Sequence, residues 1–342
     1  MRHVNIPVFI PHLGCPNQCV FCNQREISGV SRFNAEDVIP IIESALKTIE
    51  ADASVEIAFF GGSFTGIDRG LMISLLEIAY DYIKKGVVHS VRCSTRPDYI
   101  DEEILDILKT YGVKTIELGL QSCSDEVLKI SKRGHNFEAE LKSCRLIVEN
   151  GFNLVGQMMI GLPGASKSSE IETARFIIES GAVGARIYPT VVFRDTELCS
   201  MMHSGSYIPL TLDEAIERSA TVLDLFIEAG VEVIRIGLQS SDNLTDPHSS
   251  IAGANHPALG ELVIGEVYYR RICKLLSDMK ISEDDNITVL VSRGALSKAV
   301  GQNKRNKLRL LKVYKNISFG EADGIPAYGV SVEFNNGEMK CI

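Results

Sequence analysis

The sequence has few of the features that mark secreted or membrane proteins. Its apolar runs are short and interrupted, so we expect no segment to span a membrane and no membrane partner. The first ten residues have neither the apolar core nor the small-residue cleavage site of a signal peptide. Hydrophobic residues make up 45% and charged residues 23%, which is typical of a soluble globular protein. We therefore expect the protein to act in the cytoplasm.

Cysteine is too sparse for the disulfide framework of a small secreted protein. Nine cysteines are present in 342 residues. Six of them occur singly along the chain: Cys93, Cys123, Cys144, Cys199, Cys273 and Cys341. The other three lie within eight residues, between Cys15 and Cys22, and this cluster needs a different explanation.

Acidic residues are missing from one stretch of an otherwise acidic chain. The net charge is −9, yet residues 286–316 contain eight lysines and arginines and no acid. The rest of the chain therefore carries a net charge of −17. A local basic block of this kind is typical of a binding surface.

Short β-branched or aromatic runs alternate with amphipathic runs over the first two thirds of the chain. The predicted strands are Asn5–Ile10, Val55–Phe60, Val91–Ser94, Thr115–Leu118, Asn153–Met159 and Ala185–Tyr188. The predicted helices between them are Ala35–Ile49, Arg69–Lys84, Asp101–Thr110, Phe137–Asn150 and Lys167–Ser180. The alternation predicts an α/β fold with a parallel sheet and outer helices, either an open sheet or a partial (β/α)6 barrel. Ligands of such folds gather where the strands end.

The three clustered cysteines follow the first predicted strand with the spacing Cys15-x3-Cys19-x2-Cys22. Three thiolates on one tight loop can hold three irons of a [4Fe–4S] cluster and leave the fourth iron open. An open iron can chelate the amino and carboxylate groups of S-adenosylmethionine (SAM). The alternative is a zinc knuckle with His12 as the fourth ligand, although its spacing is atypical for zinc.

A Cys-x3-Cys-x2-Cys motif with an aromatic residue before the last cysteine resembles the signature of the radical SAM superfamily, and Phe21 holds the aromatic position. The resemblance implies a partial (β/α)6 barrel, a [4Fe–4S] cluster on Cys15, Cys19 and Cys22, and SAM as cofactor. It also implies one-electron reduction of the cluster by a donor such as ferredoxin or flavodoxin. In that family the aromatic residue lies near the adenine of SAM.

The same resemblance implies further contacts to SAM from residues that follow the later strands. Each lies where the family places a SAM contact: Gly61, Gly62, Ser63, Ser94, Arg96, Gln121, Arg133, Gln157 and Ile187. Gly61 and Gly62 are similar to the glycine motif that binds the amino group, and Arg133 to the partner of the carboxylate. Relatives often carry a glutamate at the position of Ser94 and an acid at the position of Gln157.

Residues 1 to about 280 resemble the radical SAM half of Elongator's catalytic subunit. The segments that carry this resemblance are Arg133–His135, Met158–Pro163, Arg186–Leu198 and Gly205–Tyr207. The resemblance does not extend to that subunit's acetyltransferase domain, so a role for acetyl-CoA is not implied.

The tail resembles a KH domain, a small α+β RNA-binding fold with a Gly-x-x-Gly loop. Gly301-Gln-Asn-Lys304 holds the position of that loop, with lysine in place of the second glycine. We place the domain boundary near residue 283, giving a radical SAM barrel with an extension over 1–282 and a KH-like domain over 283–342. The implied RNA contacts are Lys298, Gly301, Lys304, Arg305, Lys307 and Arg309.

These resemblances imply an enzyme that cleaves SAM reductively to a 5′-deoxyadenosyl radical and modifies RNA, with tRNA as the expected substrate. Two alternatives remain open. One is a radical SAM enzyme that acts on a small molecule such as a tetrapyrrole. The other is a non-catalytic RNA-binding iron–sulfur protein.

Overall fold

A computed structural model describes most of the chain. The described residues are 3–10, 14–15, 19–22, 33–50, 52–238, 250–334 and 338–341. His12, the alternative zinc ligand, lies outside them. Within these residues no helix is both long and apolar enough to cross a bilayer.

Seven parallel strands form the main sheet, in the order β1-β2-β3-β4-β5-β6-β8. Their bounds are His3–Ile10 (β1), Ser54–Gly61 (β2), Ser90–Thr95 (β3), Val113–Gln121 (β4), Asn153–Ile160 (β5), Gly184–Pro189 (β6) and Glu232–Ile236 (β8). From β1 to β6 each strand pairs with the next along the chain, and β6 pairs with β8, as crossover connections produce when a sheet curls towards a barrel. The fold is a partial (β/α)-barrel, as the sequence predicted, and β8 extends it beyond the six strand–helix units.

Helices connect the strands. Their bounds are Val38–Leu46 (α1), Arg69–Lys84 (α2), Glu102–Thr110 (α3), Asp125–Ile130 (α4), Phe137–Glu149 (α5), Lys167–Glu179 (α6), Glu197–His203 (α7) and Leu212–Glu228 (α8). Asp68, Asp101 and Asn136 begin α2, α3 and α5, and each accepts a hydrogen bond from a backbone N–H of the first turn. These caps satisfy otherwise unpaired amides, which is why each helix begins where it does.

One face of the main sheet packs against the helices and forms the core. Along β1, Ile6, Val8 and Ile10 are buried while Pro7 and Phe9 are exposed, because successive side chains of a strand point to opposite faces. The exposed positions lie on the inner face of the partial barrel. A two-stranded ribbon of Val191–Phe193 (β7) and Ser250–Gly253 (β9) lies outside the main sheet.

The C-terminal residues form a smaller sheet of their own. Its strands are Asn286–Val291 (β10), Asn316–Glu321 (β11), Val330–Phe334 (β12) and Glu338–Cys341 (β13), in the order β11-β10-β12-β13. Strand β10 is parallel to β11 and antiparallel to β12. Two short helices, Leu296–Val300 (α10) and Arg305–Leu310 (α11), lie between β10 and β11.

Helix Leu259–Asp278 (α9) supplies much of the apolar core of this small sheet. Tyr268, Ile272 and Leu275 of α9 pack in one buried cluster with Val289 and Val332 of the strands. By internal contacts the chain divides into a unit of residues 1–210 with 226–253 and a unit of 211–225 with 254–342. A domain boundary near residue 283 stays a prediction.

Candidate functional site

The loop that follows β1 carries the three motif cysteines. Gly14 packs so closely on the chain after β2 that a Cβ there would come within 2.2 Å of the Ser63 carbonyl oxygen. The Val20 amide donates to the carbonyl oxygen of Ser131 at 3.2 Å, and its own carbonyl accepts from the Leu198 amide at 2.8 Å. These backbone bonds hold the segment that contains Cys19 between the end of α4 and the start of α7.

Two arginines lie beside these thiols. Nη1 of Arg133 lies 3.3 Å from the buried sulfur of Cys19. Burial raises the pKa of the Cys15 thiol above its ordinary value, while the positive charges of Arg96 and Arg133 oppose that rise. In the part of the chain that the structure describes, no three His, Cys, Asp or Glu side chains form a group that could hold a metal ion. The cysteines thus share one anchored loop, and their convergence on a cluster stays a prediction.

Arg96 and Arg133 each have one hydrogen-bond donor that has no partner among the described residues. Arg96 donates two hydrogen bonds of 2.9 Å to Asp98 and another to the Arg133 carbonyl oxygen. Nη2 of Arg133 donates to the Gly119 carbonyl oxygen at 2.5 Å. Arg96 Nη1 and Arg133 Nε are nevertheless buried without a partner among the described residues. A buried charged donor without an acceptor is costly, so this pair is suited to an anionic ligand.

Gln121 adds an unused acceptor at the end of β4. Its φ of 74° lies in the left-handed region, which residues other than glycine seldom adopt. Its Oε1 is buried and has no partner in the described part of the chain. Gln121 thus offers one hydrogen-bond acceptor without a partner, and Arg96 and Arg133 each offer one cationic donor without a partner. A ligand with a carboxylate and an amino group, as in SAM, satisfies both kinds, so these residues fit that cofactor.

A close contact between strands and several hydrogen bonds hold the turn at the end of β2. Gly61 has a φ of 110°, and a Cβ there would lie 2.0 Å from the Ile10 carbonyl oxygen, so β1 and β2 approach too closely at this point for any other residue. Ser63 is buried, and its hydroxyl bonds the Thr95 hydroxyl at 2.8 Å. Thr65 bonds the same Thr95 oxygen at 2.6 Å. The Ser63 side chain is therefore engaged within the protein, which leaves the backbone of Gly61 and Gly62 as the part of the turn that can contact a ligand.

Ser94 and Gln157 contact each other rather than standing alone. Nε2 of Gln157 donates to Ser94 Oγ at 3.2 Å and to Glu117 Oε2 at 3.0 Å. Glu117 is fully buried and accepts from Arg92 at 2.9 Å and from Arg186 at 2.7 and 2.9 Å. Burial alone would raise the pKa of Glu117, but the hydrogen bonds from Arg186 and Arg92 hold it below its ordinary value. Glu117 is thus an ionised centre that fixes side chains from three other strands, β3, β5 and β6.

Phe21 and Ile187, the residues expected near the adenine, are both largely covered. Phe21 is half-buried and packs against the apolar cluster of Val192, Leu198 and Tyr207. Ile187 is fully buried in β6, and its carbonyl oxygen accepts from the Gly237 amide at 2.9 Å. Phe21 therefore packs on one side and stays partly accessible. It directly precedes Cys22 in the chain.

A buried acid–base pair, His135 with Glu140, was not predicted from the sequence. It adjoins Asp98, the partner of Arg96. His135 Nε2 lies 3.0 Å from Glu140, and its Nδ1 lies 3.6 Å from Asp98, the partner of Arg96. Burial raises the pKa of Glu140 to about 7, against the opposing hydrogen bond from His135. The signal was present in the Arg133–His135 segment, but the sequence does not show that Glu140 turns towards it from the next helix.

Glu117 was missed as well, although it lies in the strand that ends at Gln121. A glutamate and an arginine in predicted buried strands indicate an ion pair, and Glu117 with Arg92 is such a case. The sequence does not reveal that Arg186, 69 residues further on, completes the network.

The basic block of the C-terminal unit divides into paired and unpaired residues. Arg305 pairs with Asp213 at 2.7 Å. Arg309 pairs with Glu266 at 2.5 Å and stacks 3.4 Å from the ring centre of Tyr269. The other predicted RNA contacts, Lys298, Lys304 and Lys307, form no ion pair with a described residue.

The loop between α10 and α11 borders a cavity of about 430 Å³. Its lining includes Glu261, Lys298, Gly301, Asn303 and Lys304. Three loop residues have positive φ: Gly301 (80°), Asn303 (52°) and Lys304 (61°). The loop is therefore tightly turned, and the two lysines stand on one cavity.

Two family models match this chain. The model of the radical SAM superfamily matches residues 9–177, and that of the radical SAM C-terminal domain matches residues 182–269. The chain is 34% identical over 191 residues to Elongator complex protein 3 of Bos taurus, covering 50% of this chain and 35% of the relative. It is 30% identical over 199 residues to a tRNA uridine(34) acetyltransferase of Methanocaldococcus jannaschii, covering 52% and 36%.

A similar fold is found in the solved structure of Elp3 from Methanocaldococcus infernus. The TM-score is 0.62 at 22% identity, and the likeness covers 82% of this chain and 63% of that one. The chain spans only about a third of the length of the two curated relatives named above. The sequence likeness lies in the radical SAM region, as the resemblance to Elongator's catalytic subunit predicted.

Proposed function

This chain belongs to the radical SAM superfamily, and from that premise we propose that it cleaves SAM reductively at a [4Fe–4S] cluster and uses the product to modify tRNA. The observation that carries the proposal is the set of unused buried positions on Arg96, Gln121 and Arg133 beside Cys19.

Cys15, Cys19 and Cys22 would hold the cluster. When bound, the cluster and SAM supply a 5′-deoxyadenosyl radical after one-electron reduction by a donor such as ferredoxin or flavodoxin. Nη1 of Arg133 is directed at Cys19 Sγ, so its positive charge also stabilises the negative charge of a thiolate ligand.

The protein's own groups would orient SAM. Arg96 Nη1 and Arg133 Nε would donate to its carboxylate, and Gln121 Oε1 together with the backbone of Gly61 and Gly62 would accept from its amino group. Asp98 fixes the plane of the Arg96 guanidinium through two hydrogen bonds. An arginine held in this way loses little freedom on binding, which favours tight binding.

The C-terminal unit would hold the RNA. Lys298 and Lys304 stand free of ion pairs with described residues on one cavity of about 430 Å³. Lysines on such a surface bind phosphates. One relative supports an RNA substrate, because the archaeal protein is named as acting on tRNA. This chain covers 36% of that relative, so we propose tRNA as the substrate and the cytoplasm as the location.

Comparison of tRNA nucleosides from cells with and without the gene, by mass spectrometry, tests the proposed substrate. We expect at least one modified nucleoside to disappear with the gene. It should return when the natural chain is supplied, and stay absent when the Cys19→Ala chain is supplied. Identical nucleoside profiles in all four samples would contradict a role in tRNA modification.

A further inference from the structure

A single tight turn supports Arg96 at two points. The carbonyl oxygen of Arg133 accepts a hydrogen bond from Arg96 Nη2. Two residues later, His135 Nδ1 lies 3.6 Å from Oδ1 of Asp98, the carboxylate that accepts two hydrogen bonds of 2.9 Å from Arg96. Gly134, between them, has a φ of 79°, in the region that favours glycine. The turn that carries Arg133 therefore also supports the second arginine of the site.

Asp98 is the least enclosed member of this group. Its side chain is 26% exposed, whereas those of Arg96 and His135 are 4% and 1% exposed. It also lines a cavity of about 780 Å³ together with Lys129 and Lys132. A carboxylate that faces water and two lysines can turn away from its arginine. Arg96 would then lose the two hydrogen bonds that fix its plane.

His135 is held on its other side by Glu140. Nε2 of His135 lies 3.0 Å from Oε1 of Glu140, whose side chain is fully buried. Burial raises the pKa of Glu140 to about 7. A protonated Glu140 donates to Nε2 and leaves the ring proton on Nδ1, the nitrogen that faces Asp98.

The contact between His135 and Asp98 is electrostatic. Its length of 3.6 Å is an ion-pair distance, longer than a hydrogen bond, and Nδ1 has no hydrogen-bond partner among the described residues. Burial would raise the pKa of Asp98, but its contacts with His135 and Arg96 hold that pKa well below its ordinary value. Asp98 therefore stays ionised between two donors, one on each side.

We propose that His135 is a positioning residue for the cofactor: it keeps Asp98 turned towards Arg96, and so keeps Arg96 Nη1 available to the carboxylate of SAM. The inference rests on the proposed function, since it assumes that Arg96 binds SAM. His135 acts here only through Asp98 and Arg96, so its effect on SAM binding should disappear when Arg96 is removed.

Two substitutions separate the roles of the two ring nitrogens. His135→Asn keeps a donor near the position of Nδ1 and loses the contact to Glu140, whereas His135→Gln keeps a donor near Nε2 and loses the contact to Asp98. Each variant removes one of the two polar contacts of the ring, so urea unfolding should show similar losses of stability. The affinity for SAM should differ between them, because only the contact to Asp98 bears on Arg96.

Equilibrium dialysis of anaerobically reconstituted protein measures the dissociation constant of SAM. His135→Gln should raise it about 2- to 12-fold, the range for loss of one hydrogen bond or a comparable polar contact, and His135→Asn should leave it unchanged. In the Arg96→Ala chain, His135→Gln should have no further effect, since effects that share one partner are not additive. His89→Gln alters a histidine just before β3, at the end of that strand away from Arg96, and should leave the constant unchanged.

Three results would overturn the role of His135. The first is equal SAM affinity in His135→Gln and the natural chain. The second is equal weakening in His135→Asn and His135→Gln, which would mean that affinity follows stability rather than the contact to Asp98. The third is an undiminished effect of His135→Gln in the Arg96→Ala chain. Failure of the proposed function is distinguishable: a natural chain that binds no SAM would reject both, whereas SAM binding with any of these three results would reject only the role of His135.

Discussion

The edge of the partial barrel and the C-terminal unit use charge in opposite ways. At the barrel edge the charges are buried, held by two or three hydrogen bonds each, and left with a few unused positions on Arg96 and Arg133. In the C-terminal unit the cations lie at the surface, and Arg293, Arg305, Arg309 and Lys315 are paired with acidic side chains.

This difference separates two kinds of binding. A buried, prepositioned charge interacts strongly because little water screens it. An exposed lysine contributes a weaker, salt-sensitive attraction that depends on the number of contacts. The barrel edge is therefore suited to one small ligand, and the C-terminal surface to a large polyanion. Substitutions should have large, local effects in the first region and small, additive ones in the second.

The largest effect on stability is expected at Glu117. Glu117→Gln leaves Arg186 buried without a charged partner, and breaking a buried ion pair in this way costs about 3–5 kcal/mol. Glu103→Gln is the matched control, because Glu103 pairs with Arg69 at 3.2 Å on the surface, where such pairs contribute about 0–1 kcal/mol. Urea unfolding measures both. Equal losses of unfolding free energy in the two variants would show that the buried and the exposed ion pair contribute equally to stability.

The next effect concerns the cofactor. Arg133→Ala should weaken SAM binding about 10- to 150-fold, since a hydrogen bond between charged groups contributes about 1.5–3 kcal/mol. Equilibrium dialysis under anaerobic conditions measures the dissociation constant. Lys132→Ala, which removes the adjacent exposed cation and its pair with Glu197, should leave it unchanged. If both variants bind SAM as the natural chain does, Arg133 is not its partner.

A smaller effect should appear as a dependence of stability on pH. The native state keeps the Glu140 proton up to a pKa of about 7, whereas an unfolded glutamate loses it near 4.5. Between these values the unfolded state binds fewer protons, so this residue lowers stability as the pH rises. Glu140→Gln should remove that loss, which amounts to at most about 3 kcal/mol.

Urea unfolding at pH 5 and pH 7.5 checks the contribution of Glu140. The difference in unfolding free energy between the two pH values should shrink in Glu140→Gln and stay unchanged in Glu138→Gln, which alters an exposed residue of the same helix. An unchanged difference in both variants would show that Glu140 is ionised over the whole range.

The smallest effect per residue is expected in the C-terminal unit. Lys298→Ala with Lys304→Ala should weaken tRNA binding and reduce its logarithmic salt slope by about 1.4, or 0.7 for each lost contact to a single strand. Arg305→Ala with Arg309→Ala should change the slope less, because those cations already have acidic partners. Filter binding over a range of salt measures both. Equal slopes in the two double variants would show that the ion pairs do not decide which cations reach RNA.

The sequence predicted the positions of the strands because these follow from local patterns, and the family resemblance implied the site residues at the strand ends. Hydrophobic periodicity located the strands, and the motifs after them named Arg96, Gln121 and Arg133. The pairing of side chains could not be predicted, since it depends on contacts distant in the chain. Arg305, predicted as an RNA contact, pairs with Asp213, 92 residues away.

We propose above all that Cys15, Cys19 and Cys22 hold a cluster at which SAM is cleaved. Anaerobically reconstituted protein, reduced with dithionite, tests it most directly. We predict that the natural chain and Cys273→Ala release 5′-deoxyadenosine and methionine, while Cys19→Ala lacks the cluster and releases neither. Intact SAM after long incubation with natural protein that contains about four irons and four sulfides per chain would contradict the account.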